Sequence, residues 1–169
     1  PSDLAFGAAL AEDSEEDAID RDDVEGAEEV KEKFKPLSMQ IAGMALQDKL
    51  RMTLVGNAAA RAILVRDSNK MVALATVQSP MMTEAEASSI AHSRQIGEEI
   101  LRFIGNKRDW LGNYEVKKAL LFNPKTHVGV SMKFLSHLHV SDLRGISKSR
   151  GIPAALKAAA VSRLSKKGT

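Results

Sequence analysis

From Ala45 onward, apolar residues recur at helical spacing in segments of roughly 10 to 13 positions, each closed by a small polar or proline-containing step. Leu46, Leu50, Leu54 and Val55 form one apolar stripe, which stops at Gly56-Asn57. Ala60, Ile63 and Leu64 form the next and stop at Asp67-Ser68-Asn69, and Met71, Leu74, Ala75 and Val77 run to Ser79-Pro80. Thr83 and Glu86 have the spacing of a capping box, in which hydroxyl and carboxylate satisfy free backbone donors, so a helix is predicted to begin at about Thr83. Ile96, Ile100, Leu101, Phe103 and Ile104 are stopped by Gly105-Asn106, with Trp110 and Leu111 in a short turn beyond. Val116, Ala119, Leu120 and Leu121 lead to Asn123-Pro124, and Val130, Phe134, Leu135 and Leu138 follow. Leu143 and Ile146 precede a last helix expected from about Ile152, with Pro153 at its second position.

Laid on itself, the chain repeats. Ser79-Pro80 matches Asn123-Pro124 at an offset of 44, each between two apolar helical segments, and Arg102 to Asn106 matches Gly145 to Ser149 at an offset of 43. Arg51 to Asn57 is a more diverged copy of that second element. An irregular helical bundle with accidental spacing is the competing reading. The alternation of short helix, Asn-Pro or Ser-Pro step and second helix resembles the HEAT-like and leucine-rich-repeat-variant α-solenoids of bacteria. It is also similar to an uncharacterised bacterial family carrying Leu-Val-Gly-Asn, Arg-Asp-Ser-Asn-Lys and Asn-Pro-Lys-Thr-Pro strings. Here those are Leu54 to Asn57, Arg66 to Lys70, and Asn123 to Thr126, with His127 in place of the final proline. The resemblance covers about Ala45 to Val161. It implies an all-α fold of about five hairpins stacked as a right-handed solenoid with a concave binding face, and it implies no chemistry.

Composition supports the helical class. Aromatic residues make up only 4% while Ala, Leu, Met, Lys and Glu are abundant, which favours helices packed by aliphatic side chains over sheet. The chain has no cysteine, which excludes disulfides, a thiolate nucleophile, an iron–sulfur cluster and cysteine zinc sites, and fits a reducing cytoplasm. No apolar run approaches the roughly 20 residues of a membrane span, and the N-terminus lacks a secretory pattern. The chain begins at Pro1 rather than Met, which suggests a piece of a longer protein or a cleaved product.

The net charge of +2 hides a segregation along the chain. Pro1 to Lys35 holds thirteen acidic and four basic residues, Pro36 to Ile100 six of each, and Leu101 to Thr169 three acidic against fourteen basic. The first segment has too few apolar residues to offset chain ordering. Residues 1–35 therefore read as a disordered acidic tail, 36–164 as the helical repeat domain and 165–169 as a basic C-terminal end. Within the tail, Leu4, Phe6 and Leu10 suit a short docking motif, and a solvating linker is the plainer reading.

Few residues suggest chemistry. His137 and His139, with Asp142 nearby and His92 and His127 elsewhere, are the metal-ligand candidates, but two histidines in a short turn are expected to be exposed or packing residues. Nucleophile-elbow, P-loop and His-Glu-x-x-His signatures are absent, and the carboxylate pairs Glu84/Glu86 and Glu98/Glu99 are explained by helix starts. No cofactor or enzymatic activity is expected. The cations carry the site expectation. Arg144, Lys148, Arg150 and Lys157 surround the loop Ser147 to Gly151, where backbone donors and hydroxyls before a helix would suit an anion, although Ser149 as a simple helix cap with a solvated basic rim is the plainer view. Lys107 and Arg108 occupy the matching place one repeat earlier, and with Arg102, Lys117, Lys118 and Lys125 they would extend a basic strip. Trp110 and Tyr114 are close enough in sequence to give that strip a flat contact, with Trp110 expected in the core. The expected function is a non-catalytic protein–protein interaction scaffold for an acidic or amphipathic segment. A nucleic-acid-binding module regulated by the acidic tail is the alternative, and no membrane is involved.

Overall fold

In the computed structural model, residues 35–167 are described, and the acidic segment 1–34 and the last two residues lie outside them. The disorder and docking motif expected of the tail therefore fall outside the described residues. Chain contacts divide at Pro36/Leu37, and the chain from Leu37 onward forms a compact unit of its own.

Among the described residues the fold is all-helical, with eleven α-helices and no strand. They are α1 Leu37–Ala42, α2 Leu46–Val55, α3 Ala58–Leu64, α4 Lys70–Val77, α5 Glu84–His92, α6 Glu98–Ile104, α7 Arg108–Leu111, α8 Tyr114–Phe122, α9 Val128–Phe134, α10 Val140–Lys148 and α11 Ala154–Lys167, with a single 3₁₀ turn at Leu135–His137. Polar side chains set most of the starts. Asn57, Asn69, Asn113 and His127 each accept a bond from a first-turn N–H of the helix they precede, and Thr83 with Glu86 completes the expected capping box of α5.

Helices of this length are marginal alone, so their order comes from packing. The packing is regular: α1 lies on α3, α2 on α4, α3 on α5 and α4 on α6. Past the four-residue α7, α5 takes α8, then α8 packs on α10 and α9 on α11. If α7 is passed over, each of these helices meets the next but one. Gly105, at the end of α6, serves the same step. A Cβ there would lie 2.4 Å from Val130 Cγ1 on α9, so only glycine lets the two approach. Ion pairs follow the same links, joining Arg61 of α3 to Glu86 of α5, Lys70 of α4 to Glu99 of α6, and Lys118 of α8 to Asp142 of α10.

The apolar positions form two clusters. A small one holds Ile41, Ala60, Leu64 and Val72, with Leu50 and Met52 against it. A large one runs from Val65 to Ala160 and contains Ile96, Leu101, Ile104, Trp110, Leu120, Leu143 and Leu156.

Two expectations are corrected. The α2 stripe is largely outside: Leu46, Leu54 and Val55 are 44%, 56% and 76% exposed, while Thr53 is the residue α2 buries and Leu50 is half-buried. The reason is position in the series: α2 has α3 and α4 to pack on, and no described helix precedes α1 to cover its other side. The last helix begins at Ala154, so Pro153 precedes it and its carbonyl accepts from Leu156 and Lys157 N–H. Proline restricts the residue before it to extended backbone, which keeps Ile152 out of the helix.

Candidate partner-binding surface

The two ends of this helical series handle charge differently. From Leu37 to Ile104 there are seven basic and six acidic residues, and four of the acids are tied in ion pairs. Lys49 meets Asp67 at 2.8 Å, Lys70 meets Glu99 at 3.2 Å, and Arg102 meets Glu98 at 2.8 Å. The tightest arrangement surrounds Arg61, which is buried. Its Nε and Nη2 donate to Glu86 Oε1 and Oε2 at 2.8 and 3.0 Å, and its Nη1 donates to the Gly56 carbonyl at 2.8 Å. Burial opposes ionisation of Glu86, but the bonds from Arg61 and Thr83 outweigh it and hold the carboxyl below its ordinary value.

From Tyr114 to Lys167 there are eleven basic residues and two acidic. One of the two acids, Asp142, is occupied. Tyr114 Oη donates to its Oδ2 at 2.5 Å and Lys118 Nζ lies 3.2 Å from Oδ1, so its carboxyl is held below the ordinary range, first by the tyrosine and then by the lysine. The Tyr114 hydroxyl also accepts from His139 N–H at 3.1 Å, and the two rings sit 4.5 Å apart. The cluster fastens α8 to α10. Of the residues considered for metal, Asp142 and His139 belong to this cluster, the His139 ring lying tilted against Tyr114, while His137 Nδ1 is 3.3 Å from Ser136 Oγ; no group of three potential metal ligands occurs among the described residues.

The expected basic residues thus divide into occupied and free. Arg102 and Lys118 are paired with Glu98 and Asp142. Lys107 lies 4.1 Å from the centroid of the buried Trp110 ring and 5.9 Å from Phe103, a cation–π arrangement that covers the core indole. Among the described residues, no carboxylate lies within 4 Å of Arg108, Lys117, Lys125, Arg144, Lys148, Arg150 or Lys157. Arg144 and Lys148 are one turn apart on the exposed side of α10, opposite Leu143 and Ile146. Ser149 does not cap the last helix. It ends α10, donating its N–H to the Ile146 carbonyl, and Arg150 to Pro153 separate its hydroxyl from Ala154. Ser147 Oγ donates to the Arg144 carbonyl at 2.8 Å.

No protein-family profile, curated protein or solved structure matches the chain.

Two residues with no assigned role in the sequence pattern prove central to the framework. Arg61 carries a signal for its role, because an arginine one residue from Ala60 and three from Leu64 falls on the buried side of a helix and then needs a carboxylate. Asn123, in sequence, marks only a stop. Its Nδ2 donates to the carbonyls of Ala91 and Ser93 at 2.7 and 3.0 Å while Oδ1 accepts from Lys125 N–H, so it ties the step after α8 to the end of α5.

Proposed function

We propose that the chain is a non-catalytic protein-interaction scaffold built, like the HEAT-like α-solenoids it resembles, as a stack of about five helical hairpins. The hairpins would be α1–α2, α3–α4, α5–α6, α8–α9 and α10–α11, with α7 a short insertion, and the next-but-one packing supports this reading. The last two present the surface that binds an acidic or amphipathic segment of another protein. One observation carries that assignment: the unpaired cations of Tyr114 to Lys167, set against a first region whose charges are mostly spent on ion pairs. Free cations lose no internal bond when a partner's carboxylates arrive, so the net electrostatic gain is kept.

The same excess of eleven bases over two acids favours a second reading, binding of nucleic acid, in which the acidic leader regulates access. Salt dependence separates the two. A duplex contacted at five phosphates should lose affinity with a logarithmic salt slope of roughly −4.5, whereas an amphipathic acidic peptide, held partly by apolar contacts, should respond far less. Titrating both at two salt concentrations decides between them. Deleting residues 1–35 should raise affinity for either if the leader competes for the same cations, and an unchanged affinity would remove that regulatory element.

A further inference from the structure

A second binding feature lies away from the basic region, where α3 and α5 pack side by side. Between them is an apolar depression of about 270 Å³. Its lining follows helical spacing: Ala62 and Arg66 one turn apart from the α3 side, Ala85 and Ser89 one turn apart on α5, and Glu86 and Ile90 along the next row of α5, with Met82 from the turn before it. Ala62, Ala85 and Ser89 are small and at least partly exposed, which leaves the depression open, while Met82 and Ile90 are buried and give it an apolar floor. The volume falls below the usual range for a small-molecule site and suits one or two side chains of a partner.

Charge selects the occupant. The lining carboxylate, Glu86, is already held by both donors of Arg61 and by Thr83, so it repels little and offers nothing. Arg66, at the rim, has no carboxylate within 4 Å among the described residues. It also borders a neighbouring depression, but the other cations there, Lys70 and Arg102, are paired with Glu99 and Glu98. The geometry points to a docking pocket for a helical segment of a partner protein that inserts an aliphatic or aromatic side chain between α3 and α5 and sets a carboxylate, about one turn away, on Arg66. The inference shares with the proposed function the premise of a protein partner, but it places the apolar anchor on α3–α5 rather than on the basic hairpins.

The test is a display selection of random 12-residue helical peptides on the full chain. Enriched peptides should carry one large apolar residue with Asp or Glu three or four positions away. Their affinity should fall at least tenfold with Arg66→Glu, and equally with Ser89→Trp, which fills the depression from its open side. Lys148→Glu should leave it within twofold. Retained circular dichroism in both pocket variants establishes that they fold. Peptides that bind Arg66→Glu and Ser89→Trp as well as the unaltered chain, or a selection that enriches nothing above the Ser89→Trp control, would overturn the pocket. Loss confined to Lys148→Glu would overturn it too while supporting the basic surface.

Discussion

The first six helices and the last four use the same side chains for opposite purposes. In α1 to α6 most charges are paired with one another, three pairs bridging elements and one lying within α6, while Met39, Leu46, Leu54, Val55, Met71 and Met81 stand exposed. In α8 to α11 the large apolar residues are mostly buried, with Met132, Val140 and Val161 the exposed exceptions, and among the described residues the cations other than Lys118 meet no carboxylate. A near-neutral region can spend its charges on register, and four of its seven cations meet an acid. A region with eleven bases and two acids cannot, so apart from the Tyr114–Asp142–Lys118 cluster its helices are held by apolar contact, and most of its cations meet no carboxylate among the described residues.

The sharpest way to break this contrast is at Arg61. Arg61→Ala strands Glu86 and frees the Gly56 carbonyl, and should cost about 3 kcal/mol in urea unfolding, as removal of one partner from a largely buried pair does. Reversing an α10 cation such as Lys148→Glu should change stability by less than about 0.5 kcal/mol, because it is exposed and meets no carboxylate among the described residues. Next in size is Gly105→Ala, which forces a methyl against Val130 and should cost about 2 kcal/mol, with less than additive loss when combined with Val130→Ala. Asn123→Ala removes two bonds to carbonyls at the end of α5, and about 1 to 2 kcal/mol is expected.

Acid gives a smaller, graded effect. Glu86, Asp67 and Asp142 all sit below their ordinary values, so the unfolded chain takes up protons first as pH falls. Their contribution is therefore complete above the ordinary carboxyl range and is lost as pH drops through about 4 towards the folded-state values. Unfolding midpoints measured from pH 7 to 3 should show this decline, and Glu86→Gln should flatten it.

Local signals made most elements readable. Thr83 announces a helix start, and Gly56-Asn57, Asp67-Ser68-Asn69, Gly105 and Asn123 announce stops, because capping and turn chemistry act within a few residues; that Asn57, Asn69 and Asn113 also cap the helices after them came only with the structure. What could not be read was whether a given apolar face would find a neighbour. Leu54 and Val55 have helical periodicity yet stay exposed, since nothing among the described residues packs beyond α2 on that side. The ties between helices were equally hidden: Arg61 and Glu86 are 25 residues apart, Tyr114 and Asp142 28, and Asn123 and Ala91 32. The basic residues were legible as a group from charge counts alone, but which of them would be free depended on where Glu98 and Asp142 came to lie.

The division of labour is tested most directly by the affinity of a glutamate-rich amphipathic peptide for two charge-reversed chains. Arg144→Glu with Lys148→Glu should weaken binding at least tenfold, whereas Lys70→Glu with Arg102→Glu, which reverses the same number of charges in the paired region, should weaken it less than threefold. Equal losses in the two variants, or none in the first, would contradict the account.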